Sequence, residues 1–133
     1  MCVFCKIISG EYSSSKIYED DKVLAILDLS QASYGHTLVM PKAHHENIFD
    51  LEPETAKHLF GVVKKISNHY QTVIPNLKGI NLLNNNGSKA GQVVMHYHMH
   101  LIPRYKDDKQ DLTMEPTQPS MEELAEIKNI IIG

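Results

Sequence analysis

The chain has 133 residues, of which 42% are hydrophobic and 22% charged, and its formal net charge is -3. That length predicts one domain whose core stands without staples, and the balance excludes a membrane span and the basic stripe that broad nucleic-acid binding requires. The start MCVFCKIISGEYSSSK has no positive segment followed by an apolar core, so no secretory leader is expected, the predicted location is the cytoplasm, and neither membrane nor nucleic acid is a predicted partner.

Taken in order, the chain opens on Cys2 and Cys5, its only cysteines. In a cytosolic protein a C-x-x-C is more often a metal clip or a redox pair than a structural disulfide, and a zinc ion would need two further donors. The plain alternative is that Cys5 packs as a small apolar residue. Phe4, Ile7 and Ile8 have helical spacing that stops at Ser9 and Gly10. Residues 16–19 read as a short strand, Asp20 and Asp21 as a turn, and 23–27 as a buried strand ended by Asp28. Asp28 can accept hydrogen bonds from sugar hydroxyls there, although Asp also ends strands through local backbone contacts.

A loop over 31–35 leads to a third strand over 36–40, begun by His36 and closed by Pro41. Lys42, His44 and His45 follow in a loop, and Pro53 then stands in the first turn of a long helix. Its predicted apolar face carries Ala56, Leu59, Phe60, Val63, Ile66 and Tyr70, with Lys57, Lys64, Lys65 and Asn68 toward water and His58 and His69 on the surface. Pro75 ends this helix, and 79–84 form another strand running into a polar segment over 85–90. Such a segment can hold a sugar or phosphate through its amides and N–H groups, or serve as a solvated hairpin tip.

The stretch GQVVMHYHMHLIPR follows, and in it His96, His98 and His100 alternate with Tyr97, Met99 and Leu101. Alternation is the period of a strand, so the three imidazoles are expected on one face and the apolar side chains on the other. They suit one small ligand, a phosphate or a metal ion. Beyond Arg104 the segment KDDKQDLTMEPTQPS reads as a loosely structured surface arm. Ser120 and Glu123 then form a capping-box pattern for a last helix with Leu124, Ile127, Ile130 and Ile131.

These motifs together resemble the histidine-triad family of nucleotide hydrolases and transferases. The resemblance rests on the HYHMHLI run, on FCKIISGE near the start, on ILDLSQASYGHTLVMPKAH and on NNGSKAGQVV, and covers about the first four fifths of the chain. It implies an α+β fold, an antiparallel sheet with one long helix and short terminal helices. It also implies a single domain over 1–133, with a core to about residue 104 and a C-terminal arm and helix, and a homodimer that binds a purine nucleotide such as AMP or an adenosine phosphoramidate. By the same resemblance His98 is the nucleophile toward the α-phosphorus of phosphoramidates or dinucleoside polyphosphates, flanked at the phosphate by His100 and His36. Imidazole suits that role when one nitrogen is free and the other is held as a donor. Asp28 matches the family's ribose-binding acid, Asn85 a nucleotide contact, and Gly91 and Gln92 the turn before the histidines; Phe4, Ile7, Ile8 and Leu27 can wall the base.

One departure stands out. Many members carry Ser or Thr where this chain has Val93, which removes a hydroxyl from the phosphate or leaving group. Zinc-bearing members imply a four-donor set of Cys2, Cys5, His44 and His96, and no organic cofactor is implied. Two other readings stay open. A metallohydrolase would bind catalytic zinc through His96, His98 and His100, but in a straight strand the outer two are rooted about 13 Å apart against bonds of about 2 Å. A purine-nucleotide-binding signalling module with little turnover is the second, and Val93 favours it.

Overall fold

The computed structural model describes residues 2–133, and among them the order is helix α1 (Val3–Ile8), strands β1 (Lys16–Glu19), β2 (Val23–Leu27) and β3 (Thr37–Pro41), helix α2 (Pro53–Val73), strands β4 (Gly79–Leu83) and β5 (Met99–Arg104), and helix α3 (Met121–Ile132). The strands form one sheet in the order β1-β2-β3-β5-β4, each neighbour antiparallel to the next. This is an α+β fold with β5 placed between β3 and β4.

The sheet is covered on both sides, which explains why β2 and β3 read as unbroken apolar runs. Val23, Ala25, Val39 and Leu101 point to one face and pack under Leu59, Val62, Val63, Ile66 and Tyr70 of α2. Leu24, Ile26, Leu38 and Met40 point to the other, where Phe4 seals them from α1. Each such fully buried aliphatic side chain contributes about 1.5–3 kcal/mol. Helix α2 differs from expectation in one position: Phe60 is 55% exposed while Val62 is 4% exposed and belongs to the core. The 3- and 4-residue spacings allow either residue, and α2 turns Val62 into the cluster with Leu59, Val63 and Ile66.

The histidine run also departs from a simple strand. Only Met99 onward joins the ladder, pairing with β3 and β4 through Leu38↔His100 and Leu83↔His100. Upstream, the backbone is satisfied elsewhere: the Tyr97 N–H donates to the His45 carbonyl (2.6 Å), and the His98 carbonyl accepts from the Asn84 side chain (3.0 Å). The alternation survives this change, since Tyr97, Met99 and Leu101 all face the α2 core. The third strand likewise starts one residue later than expected: the His36 carbonyl still takes the Asp28 N–H, but the His36 N–H donates to the Ser33 carbonyl and the Gln31 side chain.

The C-terminal arm is anchored at its root. Arg104 bonds both oxygens of Asp108 (3.0 and 2.7 Å) and reaches Asn81 at 2.8 Å, which holds the Asp108 carboxyl well below the usual carboxylate range. Helix α3 carries the full capping box of Ser120 and Glu123, yet none of its residues is buried. Among the described residues no helix is long and apolar enough to cross a membrane.

Candidate functional site

A cavity of about 690 Å³ opens between the ends of β2, β3 and β5, a size suited to a small organic ligand. His36, His98 and His100 share its wall with Asp28, Asn85, Gly91 and Phe4. Ile8, Leu27 and Gln92, expected at the ligand, do not line it. Ile8 packs against the core beneath α1, and Leu27 is spent at the end of β2. Gln92 is buried and its carboxamide accepts from the Gly87 N–H (2.8 Å) and donates to the Glu46 carbonyl (2.6 Å). Its second amide hydrogen goes to the Val94 carbonyl (3.1 Å), so it ties the polar loop to the segment after β3 and has no hydrogen to spare for a ligand.

The protons of the three cavity histidines are placed by backbone groups. In His98, Nδ1 lies 2.8 Å from the His96 carbonyl, so it must carry the hydrogen and donate. Its Nε2 keeps the lone pair, and since no buried side-chain nitrogen or oxygen among the described residues lacks a partner, this unbonded nitrogen is open to the cavity. In His36 the order is reversed: the Ala32 N–H donates to Nδ1 at 3.0 Å, leaving the hydrogen on Nε2. That Nε2–H faces His100 Nδ1 at 3.0 Å and donates to it, which puts the His100 hydrogen on Nε2. The result is one lone pair on His98 beside one N–H donor on His100.

Burial disfavours the charged form of His98 and His100. It pushes His98 below the ordinary imidazole value, and it lowers His100 to about 4 with help from His98 and His36. Phe4 meets the His98 ring edge to face with centroids 5.0 Å apart. Asp28 accepts the Ser30 N–H (2.9 Å) through Oδ1 while Oδ2 stands 3.6 Å from His36 Nε2. Gly91 has φ of +95°, a left-handed conformation, and a Cβ there would come within 3.3 Å of the Asn85 amide that lines the cavity.

Among the wall residues that sequence reasoning missed are Ser30, Ala32, Leu83 and Val94 and, farthest along the chain, Gln110 and Leu112. The last two belong to the arm that was expected to be a loose surface segment. The Arg104–Asp108 pair turns the chain back, and Arg104 also reaches the Gln110 carbonyl. A basic residue at a strand end with Asp four positions on was the one signal available.

Among the described residues two groups of donor atoms could hold a metal ion, Cys2–Cys5–His44–His96 and Asp28–His36–His100, each with its atoms within 4.8 Å of one another. His96 and His100 fall in different groups, so the three alternating histidines do not share one ion. In the first group His96 donates Nε2–H to the Pro41 carbonyl at 2.8 Å and turns the Nδ1 lone pair toward the thiols. Its Nδ1 lies 3.4 Å from Cys2 Sγ, 3.6 Å from Cys5 Sγ and 3.2 Å from His44 Nδ1, and Cys5 Sγ to His44 Nδ1 is 3.3 Å. A zinc tetrahedron with bonds of about 2.0–2.3 Å has donor–donor edges of about 3.3–3.8 Å, shortest between two nitrogens, and this set comes within about 0.1 Å of that range. In the second group the Ala32 N–H forces a hydrogen onto His36 Nε2, the atom that would have to ligate. That group is preorganised as a hydrogen-bond relay.

Comparison with known proteins places these features in context. Residues 9–107 match the HIT domain family model. The chain is 55% identical over 104 residues to "Protein hit" of Bacillus subtilis, spanning 78% of this chain and 71% of that one. It is 44% identical over 107 residues to adenylylsulfatase HINT3 of Arabidopsis thaliana, covering 80% of this chain and 54% of that one. It is 38% identical over 110 residues to adenosine 5'-monophosphoramidase HNT1 of Candida albicans, covering 80% and 72%. A crystal structure of a HIT family protein from Bacillus anthracis superposes with a TM-score of 0.91 at 51% identity, covering 98% of this chain and 94% of that one. A zinc-bound histidine triad family protein from Mycobacterium smegmatis gives 0.79 at 35% identity, covering 97% and 96%.

Proposed function

This chain belongs to the HIT domain family, and from that premise we propose that it hydrolyses nucleotides at the α-phosphate, with adenosine phosphoramidates or dinucleoside polyphosphates as substrates and His98 as nucleophile. The observation that carries the reading is the His98 ring: Nδ1–H held by the His96 carbonyl and Nε2 free in a cavity of about 690 Å³. The names of the Arabidopsis and Candida relatives, an adenylylsulfatase and an adenosine monophosphoramidase, support a bond at the α-phosphorus as the target.

In this reaction the Nε2 lone pair forms a bond to phosphorus as the P–N or P–O bond breaks. The electron pair leaves with the amine or phosphate, which takes up a proton from water. Water then displaces the imidazole, giving AMP, and the proton it releases balances the one taken up before. His100 Nε2–H donates to the phosphoryl oxygens, where negative charge grows, and His36 holds that donor in line. Asp28 accepts from the ribose hydroxyls, Asn85 and Gly91 border the phosphate, and Phe4 walls the base.

Cys2, Cys5, His44 and His96 would hold zinc, which when bound supplies a structural tether between the N-terminus and the segment before β5. These two cysteines are free thiols, which suits the reducing cytoplasm. A homodimer belongs to the same reading: β4 leaves one edge of the sheet unpaired, and α3 exposes Ile130 and Ile131. A binding module with little turnover is the second reading, favoured by Val93, an apolar group 87% exposed at the cavity where it can donate nothing.

Mass spectrometry of protein quenched during turnover of adenosine phosphoramidate tests the mechanism. The expected result is a nucleotidyl adduct on His98. Turnover with no adduct, and undiminished in His98→Ala, would remove His98 as nucleophile; binding of AMP without turnover would leave the module.

A further inference from the structure

His96 is the residue at which the clip and the nucleophile meet. On its ring, Nδ1 lies 3.4 Å from Cys2 Sγ and 3.6 Å from Cys5 Sγ, while Nε2–H is held by the Pro41 carbonyl at 2.8 Å. On its main chain, the carbonyl accepts the His98 Nδ1–H at 2.8 Å, the bond that leaves His98 Nε2 with its lone pair. No ladder pairing fixes that peptide, because β5 pairs only from Met99 onward. A second link runs through α1: Phe4 stands between the two cysteines, is buried, and meets both rings edge to face, His96 with centroids 5.9 Å apart and His98 at 5.0 Å. Whatever displaces the two cysteines therefore displaces the groups that aim His98.

The cysteines can be displaced together by one reaction. All four clip donors lie within 4.8 Å of one another, so the sulfurs need close by less than about 3 Å to reach an S–S bond of about 2.05 Å. Both are free thiols, only half-buried, and they border a cavity of about 740 Å³ that admits a small oxidant. Resting on the function proposed above, we infer that Cys2 and Cys5 are a reversible disulfide site whose oxidation by a peroxide opens the clip and loosens the hold on the His98 ring. One thiolate attacks a peroxide oxygen, the O–O bond breaks, and a sulfenic acid and water form once the leaving hydroxide is protonated. The second thiol then attacks the sulfenic sulfur, the S–S bond forms and the S–O bond breaks, and the oxygen leaves as a second water. Two thiols are oxidised and one hydrogen peroxide is reduced. The clip loses both thiolate donors and with them its hold on a metal ion. His96 Nδ1 loses its sulfur partners, and Phe4 is carried off with α1.

The test treats the zinc-loaded protein with a small excess of hydrogen peroxide. The chain is expected to lose two hydrogens by mass spectrometry and to yield its zinc to a chromogenic chelator. In ¹⁵N-histidine-labelled protein the His98 Nδ1–H resonance is expected to shift or broaden, which a clip of purely structural value would leave in place. On adenosine phosphoramidate kcat is expected to fall by about tenfold or more with a smaller change in KM, and dithiothreitol with zinc to restore it. Cys2→Ser and Cys5→Ser cannot form the bond, so peroxide is expected to leave each at its own untreated kcat. Failure of the disulfide to form would overturn the site. A disulfide that leaves the His98 resonance unmoved, or kcat unchanged in an active protein, would overturn the coupling. A peroxide loss in the serine variants equal to that of the wild type would assign the effect to oxidation elsewhere and overturn it as well. If the reduced protein turns over no phosphoramidate, the proposed function fails by itself, and the His98 resonance still decides the coupling.

Discussion

His36 donates through Nε2–H to His100 Nδ1 across 3.0 Å, and this one bond decides which nitrogen of His100 carries a hydrogen in the cavity. It is set in turn by the Ala32 N–H on the far side of the His36 ring. The pair is a donor assembled from two rings and one peptide group. Removing the first ring should disable the second without touching His98. His36→Ala is expected to lower kcat on adenosine phosphoramidate by about 10²-fold, the order seen when one preorganised donor is lost, with a smaller change in KM. Steady-state kinetics checks this; a raised KM with kcat unchanged would mean that His36 only helps to bind.

The low value of His100 makes the site acid-sensitive. Burial, with His98 and His36 nearby, holds it at about 4 in the fold, against about 6.5 in an unfolded chain. The folded value is the lower one, so protonation favours unfolding. The contribution is fully present above about pH 6.5 and is lost as pH falls through about 4, on the order of 1 kcal/mol per pH unit within that window. Denaturant melts between pH 7 and 4 should show this slope, and His100→Gln should reduce it, leaving the part that buried His98 and His96 add. Asp20 and Asp108 also sit below the usual carboxylate range, but their stabilisation is lost only below about pH 4, so the two contributions separate on the pH axis. An unchanged slope in His100→Gln would remove this assignment.

Metal content gives a direct check on the clip. The purified protein is expected to carry about one zinc per chain, and Cys5→Ser far less, with a fall in Tm of several degrees as α1 loosens. Elemental analysis with a thermal melt is sufficient. Equal metal in both proteins would end the proposal.

Helix α2 offers a stability comparison inside one turn. Val62 is buried and Phe60 is mostly solvent-exposed, so Val62→Ala should cost about 1–3 kcal/mol and Phe60→Ala about 0.5 kcal/mol or less. Urea titration distinguishes the two. The reverse order would place α2 in the other rotation, the one its sequence spacing equally allows.

Much of the fold was legible because the signals were local. The runs 16–19 and 23–27, the stops at Gly10 and Pro75, and the Ser120–Glu123 box each act within a few residues, and each element stands where its residues imply. What escaped depends on partners distant in sequence. The strand after His98 begins late because Asn84 and His45 claim backbone groups upstream. Gln92 turns away from the cavity because Glu46 and Gly87 use its carboxamide. The alternation of His96, His98 and His100 announced a polar face and nothing about its division. That division follows from Pro41, Ala32 and the His96 carbonyl, three main-chain groups that carry no side-chain signature. Cys2 and His96 meet across 94 positions, and only family resemblance joined them.

The role of Ala32 reaches further. Its methyl group lies at the cavity wall, yet it is its peptide N–H, 3.0 Å from His36, that orders the protons of two histidines. Side-chain exchanges in the 29–34 loop leave a peptide N–H in place, provided proline does not replace Ala32. Loss or gain of a single residue there would carry that N–H out of register and reverse the His36 ring's polarity. In this loop the length of the chain should therefore be guarded more strictly than its composition, a pattern visible as freely varied letters between positions that tolerate no gap.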